Sequence, residues 1–275
     1  MKKRTKGDTH FADIRAKCRP LRILYMVLDV LVIFTLIRSL LRGEYSNVFF
    51  CLLTLALFML PTTVEKNLGL KLPTLFEGIV LVFIFAAEIL GEINCYYQLV
   101  PNWDTVLHTI NGFLFAAFGF ALLDIINRKP KIKFNLSPFY FALVAFCFSM
   151  TIGVLWEFFE FGSDMLMNGD MQKDTYVRGI YTMLLDVQNT NTTVSLENIE
   201  KVVVYYTQDG MAVTKTLPAY IDIGLIDTMK DLFVNFIGAV VFSIIGFFYL
   251  KSRGKGRIAS QFIPVIQEEH EKEKT

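Results

Sequence analysis

Three polar clusters lie inside apolar segments of the chain, and each cluster spaces its members by three or four residues. They are Asp104, His108 and Asn111; Glu157, Glu160 and Asp164; and Asp227, Asp231 and Asn235. This spacing places the members of each cluster on one face of a helix. Ionisable side chains at membrane depth are costly, so they face a protein interior or a water-filled cavity and mark function. The three clusters are therefore the predicted functional site.

Carboxylates dominate these clusters, and Glu88 adds one more from an earlier apolar segment. Confined carboxylates repel one another and raise each other's pKa, so a divalent cation, a substrate ammonium or bound protons must relieve the repulsion. Oxygen ligands suit Mg²⁺, Ca²⁺ or Mn²⁺, while an imidazole among carboxylates also admits Zn²⁺ or Fe²⁺. A divalent metal ion is thus one expected cofactor, with its identity open. The predicted metal ligands are His108, Glu160, Asp164, Asp227 and Asp231.

The predicted catalytic residues are His108, Asp104, Glu157 and Glu160. His108 could act as a general base, because Asp104 lies one helical turn away and could orient its imidazole. Asn111, Asn235 and Glu88 are expected to be supporting polar residues. The chain has no His-Glu-x-x-His zincin motif, no P-loop and no Gly-x-Ser-x-Gly elbow, so the motifs fix no reaction.

Apolar segments long enough to cross a membrane must position these residues. Of the 275 residues, 53% are hydrophobic and 26 are Phe, and the mean hydropathy is +0.45. The sequence predicts an all-α polytopic membrane protein, a six-helix transmembrane bundle with a small extracytoplasmic β-hairpin insert. The predicted spans are Leu21–Leu41, Tyr45–Leu60, Pro73–Ile93, Trp103–Ile126, Pro138–Phe161 and Leu225–Leu250.

Lys and Arg alternate between the loops and predict the orientation of the bundle. Residues 1–22 hold eight of them, and the connections after the second, fourth and sixth spans are also basic. Both termini are therefore expected inside, which places all three clusters at the outer side in matched layers. The outer layer is Asp104, Asp164 and Asp227; the middle layer is His108, Glu160 and Asp231; the deep layer is Asn111, Glu157 and Asn235. Asp29, Glu77 and Asp124 lie inward and are expected to be isolated.

Five regions follow from these bounds. They are a basic cytoplasmic tail (1–22), spans one to five (23–164), an extracytoplasmic insert (165–224), span six (225–250) and a charged cytoplasmic tail (251–275). Within the insert, Asp209-Gly210 between two β-rich runs predicts a hairpin. Gln267–Thr275 is expected to be disordered. Gly112 and Gly238 are expected to allow close helix approach, and the four cysteines show no disulfide or metal spacing.

Three motifs resemble the YjdF-like family of bacterial inner-membrane proteins. They are Trp103-Asp104-x-x-x-His108, Trp156-Glu157-x-x-Glu160, and Asp227-Thr228-Met229-x-Asp231-x-x-x-Asn235-x-x-Gly238. Met171-Gln172 also looks like that family's loop, and the motif order is similar to the VanZ-like family, which is associated with glycopeptide resistance. The resemblance implies a multi-pass protein of the bacterial plasma (inner) membrane. It implies no particular reaction.

Three functions compete at this point. The first is a metal- or proton-dependent enzyme acting on an envelope lipid or a lipid-linked precursor. The second is a cation- or proton-coupled transporter, although the acids crowd one half of the bundle whereas carriers place their sites near the midplane between repeats. The third is a non-catalytic scaffold or regulatory protein. The lipid bilayer is the expected partner, nucleic acid is not expected, and the oligomeric state is open.

Overall fold

A computed structural model describes residues 17–128, 136–252, 254, 256 and 259–266. Within these residues, six helical segments are long and apolar enough to cross a membrane, as the sequence predicts. The helices are α1 (Arg19–Arg42), α2 (Tyr45–Leu57), α3 (Leu60–Leu68), α4 (Thr74–Phe85) with a π-helix (Ala86–Ile93), α5 (Tyr96–Leu99), α6 (Trp103–Arg128), α7 (Pro138–Met167) and α8 (Leu225–Lys251). The chain is therefore a multi-pass membrane protein, and the four cysteines are free.

The second span is longer than predicted. The expectation that it stops at Leu60 is wrong, because α2 and α3 together form a 24-residue span from Tyr45 to Leu68. Pro61 lies in the first turn of α3. Proline is tolerated there, since the first N–H groups of a helix have no intrahelical partner. The fifth span likewise runs past its predicted end at Phe161 and ends at Met167, before Asn168 with φ 54°.

The third span changes its helical geometry halfway. It is α-helical from Thr74 to Phe85 and then a π-helix from Ala86 to Ile93, which carries Glu88 and Glu92. In a π-helix the backbone hydrogen bonds join residues five apart in place of four. Such helices are uncommon, and where they occur they are frequently at a functional site. Hydropathy alone predicts the span but gives no signal for this change.

The chain divides into two compact units, residues 1–153 with 232–275 and residues 154–231. The first unit contains two hydrophobic clusters. One is built around Phe76, Phe120 and Phe242. The other is built around Tyr25, Phe58 and Leu81. The first of these clusters joins the helices that carry Asp104, His108, Asn111 and Asn235.

The first unit also contains a short sheet that the sequence analysis did not predict. β1 (Leu70–Lys71) pairs antiparallel with β8 (Val265–Ile266). Just before β8, Ile263 is 3% exposed, and the Phe262 ring meets the Phe113 ring at 5.2 Å. Part of the segment predicted as a charged tail therefore packs on the core. Residues 1–16 and Gln267–Thr275 lie outside the described residues.

The second unit contains three two-stranded antiparallel sheets. β5 (Val202–Gln208) pairs with β6 (Met211–Leu217) across Asp209-Gly210, which confirms the predicted hairpin. Both turn residues have positive φ, 50° and 77°, as a type I′ turn requires. The other two pairs were not predicted: β2 (Thr175–Val177) with β7 (Tyr220–Asp222), and β3 (Ile180–Thr182) with β4 (Val194–Leu196).

Candidate functional site

Asp104 and His108 form a pair at the start of α6. Asp104 lies in the first turn of the helix, where the N–H groups and the helix dipole favour a negative charge. His108 follows one turn later, and its Nε2 lies 3.4 Å from Asp104 Oδ1. The His108 residue is 8% exposed. This arrangement gives an imidazole a carboxylate partner in a largely dry place, which is what the i, i+4 spacing predicted.

Trp103 fixes the start of α6 against the π-helix. Its indole Nε1 donates a hydrogen bond to the backbone oxygen of Ala86 over 3.3 Å. Its ring also meets the Tyr96 ring edge-on, with 5.0 Å between the centroids. The residue before Asp104 therefore connects the Asp–His helix to the first residue of the π-helix. In the sequence, Trp103 stands out only as part of a family motif, and this motif gives no signal for the contact with the π-helix.

The deep polar residues of the first unit pair between helices. Asn111 donates from Nδ2 to Asn235 Oδ1 over 3.4 Å. The Asn235 amide in turn donates toward the Met150 sulfur at 3.6 Å. Asn235 is 1% exposed. The predicted deep-layer partners Asn111 and Asn235 are thus joined directly, one helical turn or less beyond His108 along α6.

Glycines let these helices approach at backbone distance. A Cβ added to Gly112 would lie 2.1 Å from the backbone oxygen of Asn235, and one added to Gly238 would lie 2.0 Å from that of Thr109. The expected role of both glycines is confirmed. Ser149 Oγ donates to the backbone oxygen of Gly112 over 2.7 Å, so α7 joins α6 and α8 at the same level.

The second unit holds the remaining acids of the site. Glu157 and Glu160 of α7 are buried, and Asp231 of α8 is 1% exposed. Trp156 Nε1 donates to Glu160 Oε1 over 2.7 Å. Trp156 therefore orients one carboxylate oxygen of Glu160, which is a role that the Trp-Glu-x-x-Glu motif did not reveal.

Asp164 and Asp227 hold the loop that follows α7. The two Asp164 oxygens accept the backbone N–H groups of Met171 and Gln172, over 2.7 and 2.8 Å. Asp227 Oδ2 accepts the N–H of Lys173 over 2.8 Å. These bonds leave lone pairs on the carboxylates. The loop that contains Met171-Gln172, which resembles a loop of the YjdF-like family, is therefore held by Asp164 and Asp227. Both residues belong to the predicted outer layer.

A further acid in this loop was missed by the sequence analysis. Burial raises the pKa of Asp174, and the neighbouring charges of Asp170, Asp222 and Asp164 raise it further. Asp222 belongs to β7, which pairs with the strand that starts at Thr175. Only that strand pairing brings the two segments together, so no local spacing could have predicted it.

The expectation that Glu77 is isolated is wrong. Its carboxylate accepts hydrogen bonds from Tyr25 OH over 2.7 Å and from Lys17 Nζ over 2.9 Å. The same Lys17 ammonium also binds Glu65 at 2.5 Å. Burial lowers the pKa of Lys17, but hydrogen bonds to Glu65 and Glu77 outweigh burial and raise it above 10.5. Lys17 is 48 and 60 residues from its partners, so sequence spacing gave no signal.

The described contacts bring together Asp104 with His108 and Asn111 with Asn235 in the first unit. In the second unit Glu160, Asp164 and Asp227 have the partners given above. Glu88 lies half-buried on the π-helix. The convergence of His108, Glu160 and Asp231 in one cavity stays a prediction, as does metal binding by any of these residues.

The six spans and the acid–histidine pair define a polytopic membrane protein with polar residues inside its helices. The family model "Predicted membrane protein (DUF2238)" matches residues 21–252, so the chain belongs to this family. An "Uncharacterized protein" of Thermotoga maritima is 25% identical over 146 residues, which cover 53% of this chain and 71% of that protein. No solved structure matches the chain. These comparisons do not confirm the similarity to the VanZ-like family.

Proposed function

We propose that this protein is a bacterial inner-membrane enzyme of the YjdF-like type, with an outward-facing Asp/Glu/His site that acts on an envelope lipid or a lipid-linked precursor. The pair of half-buried Asp104 and buried His108 carries this proposal. A histidine within a membrane span that has its own carboxylate is suited to moving a proton. The site depends on a divalent metal ion or on bound protons.

His108 is the general base of the proposed reaction. Neutral His108 removes a proton from a hydroxyl group or a water molecule, and the Asp104 carboxylate stabilises the imidazolium that results. The burial of His108, beside an Asp104 side chain that is 25% exposed, strengthens this attraction, since the effective dielectric constant is lower than in water. An attacking oxygen activated in this way fits hydrolysis or transfer at a phosphate or acyl group of a lipid.

The metal-dependent form of the proposal adds Glu160, Asp164, Asp227 and Asp231 as ligands beside His108. Its support is the spacing in the sequence: His108, Glu160 and Asp231 each lie four residues deeper than the outer-layer aspartate of the same helix, which is about 6 Å at 1.5 Å per residue. Glu157 would share the negative charge of the site. Carboxylates that accept a backbone N–H still have lone pairs for a cation.

Elemental analysis of the purified protein tests the metal-dependent form. Wild type should contain a stoichiometric divalent metal, or should be stabilised thermally by added Mg²⁺, Ca²⁺, Mn²⁺ or Zn²⁺. The His108→Ala, Glu160→Ala and Asp231→Ala variants should lose that metal or that stabilisation while remaining folded. Asp29→Ala is the control and should behave as wild type. Absence of both metal and stabilisation in wild type would refute this form.

If the metal-dependent form is refuted, a proton-dependent enzyme and a purely structural network remain, and variants of the same residues distinguish these two explanations. A purely structural network predicts that Glu160→Ala and Asp231→Ala lower the thermal midpoint in detergent without any metal in either protein. A proton-dependent enzyme predicts instead that turnover of lipid extracts is lost in His108→Gln and that the midpoint is unchanged. A His108→Gln protein with wild-type turnover would end the enzymatic proposal.

The π-helix favours a transporter as the second candidate function. It places Glu88 within the third span, and interrupted helices with polar residues are typical of ion-coupled carriers. Proteoliposomes would distinguish the two functions. A carrier should move protons or a cation across the bilayer and lose this flux in Glu88→Gln, whereas an enzyme with a one-sided site should show no flux.

A further inference from the structure

The loop between β3 and β4 exposes an unusually apolar tip. The side chains of Leu184 and Val187 are 95% and 96% exposed, and those of Met183 and Leu185 are 54% and 50% exposed. Solvent contact with four consecutive or near-consecutive apolar side chains is unfavourable, so such a patch in a folded protein marks a contact surface. We define residues Met183–Val187 as the apolar tip.

Hydrogen bonds hold the apolar tip in this form. The Asp186 carboxylate accepts the backbone N–H groups of Gln188 and Thr192 over 3.2 and 3.1 Å. The Thr190 hydroxyl donates to the same carboxylate at 3.2 Å. These bonds turn the one charged group of the tip back into the loop, and they hold the pKa of Asp186 below its usual value. The neighbouring leucines and Val187 are thereby presented outward.

The composition around the tip suits hydrocarbon. Residues 179–194 contain no Lys, Arg or Glu and only one Asp, which is Asp186. Tyr181 on the adjoining strand is 64% exposed, and tyrosine is enriched where membrane meets water. The residues that follow the tip, 188–193, are polar but uncharged, and charge is what a bilayer excludes most strongly.

The distance of the apolar tip from the first residue of α8 has an upper limit. β2 pairs with β7, so Val177 is opposite Tyr220, and Tyr220 lies five residues before the first residue of α8, Leu225. Leu184 follows Val177 by seven residues. At full extension these two stretches reach about 40 Å. The last residues of α7, Leu166 and Met167, are likewise apolar and 85% and 77% exposed.

We propose that the apolar tip Met183–Val187 inserts into the leaflet of the bilayer on its own side, where it anchors the insert on the membrane surface. Its partner is the boundary between lipid headgroups and acyl chains. The anchor would hold the insert over lipid, which is where a membrane-embedded substrate arrives. The inference is independent of the enzymatic proposal, because it rests on the exposure, composition and hydrogen bonds of this loop and on no residue of the proposed site.

A nitroxide spin label tests this inference in the full-length protein in liposomes. The native cysteines are replaced, and a label is attached to Leu184→Cys. Collision rates are then measured with oxygen, which concentrates in lipid, and with a nickel chelate, which stays in water. The ratio of oxygen to nickel collisions should exceed one at position 184. The control label at Gln208→Cys, on the exposed end of the other hairpin, should give a ratio several-fold lower.

Two results would overturn the proposal. A ratio of oxygen to nickel collisions at position 184 as low as that at position 208 would show that the tip lies in water. Protection from both reagents would show a protein contact, and spin broadening that disappears on dilution with unlabelled protein would identify that contact as a second copy. The unlabelled double variant Leu184→Ser, Val187→Ser is the folding control, which shows whether substitution at the tip disturbs the fold. Since both side chains are exposed, the thermal midpoint in detergent should not change.

Discussion

At the scale of single residues, the polar side chains of the proposed site differ from the small residues on which the packing of the helices depends. Asp104 and His108 form the acid–histidine pair of the proposed site, whereas Gly112 and Gly238 allow α6 and α8 to touch. Asn235 belongs to both groups, since it is polar, buried and in contact with a glycine of α6. The spacing of polar residues predicted the first group, and the small residues beside them predicted the second.

Gly238→Ala should destabilise the protein strongly. The added Cβ would lie 2.0 Å from the backbone oxygen of Thr109, so α6 and α8 must move apart at a cost of about 1–3 kcal/mol. Gly162→Ala is the matched control, because no atom lies within 4 Å of its Cβ position on α7. Thermal unfolding in detergent should show a lower midpoint for the first variant only. Equal midpoints would contradict the observed helix contact.

Glu77→Gln should also be destabilising. Glu77 is 1% exposed, and its removal leaves the buried Lys17 ammonium with Glu65 as its remaining acidic partner in the described network. Breaking a buried ion pair from one side costs about 3 kcal/mol. Arg42→Gln is the control, since its pair with Glu44 spans 3.9 Å with side chains 61% and 38% exposed. Exposed pairs contribute less than about 1 kcal/mol.

The pH dependence of the Lys17 contribution follows from the sign of its shift. The pKa of Lys17 is higher in the folded state than the ordinary 10.5. Its stabilisation is therefore complete below pH 10.5 and is lost only as the pH rises through the higher folded value. Wild type should lose stability in that alkaline range, and Lys17→Met should lose less of it. A decline of equal size in both proteins would contradict this assignment.

At the scale of elements, the segment 259–266 stabilises the first unit through β8 and the residues before it. Truncation after Gly256 should lower the unfolding midpoint, because it removes buried Ile263 and the Phe262 ring from the core. Burial of one such side chain is worth about 1.5–3 kcal/mol. Truncation after Ile266 keeps β8 and is the control. If both truncated proteins unfold at the wild-type midpoint, the segment contributes no stability.

The elements also show which structural features the sequence could predict. Long apolar runs predicted all six spans, and Asp209-Gly210 predicted the hairpin, because both signals are local. The β1–β8 and β2–β7 pairs and the Lys17 network join residues far apart in the chain. No periodicity encodes such contacts. The end of the second span was missed for another reason, since Pro61 can begin α3 as well as end α2.

At the scale of the whole molecule, the distribution of Lys and Arg makes the orientation testable. The segment between the fourth and fifth spans carries Arg128, Lys129, Lys131 and Lys133. Short basic loops stay on the cytoplasmic side. We therefore predict that six spans return both termini to that side and place the insert, residues 165–224, on the opposite side. The layers of the proposed site require that successive spans alternate in direction, because only then do the three clusters lie on the same side of the membrane.

Reporter fusions at Lys131 and Lys201 should therefore give opposite results. A fusion at Lys131 should be active as a cytoplasmic reporter, and one at Lys201 as an external reporter. Fusions at both termini should match Lys131, since an even number of spans separates them. Neutralised charge is the control: replacing the basic residues at 129, 131 and 133 with glutamine should weaken the orientation signal without removing a span. A cytoplasmic signal at Lys201 would place the acid clusters on the inner side, and the proposed access from the envelope would then be wrong.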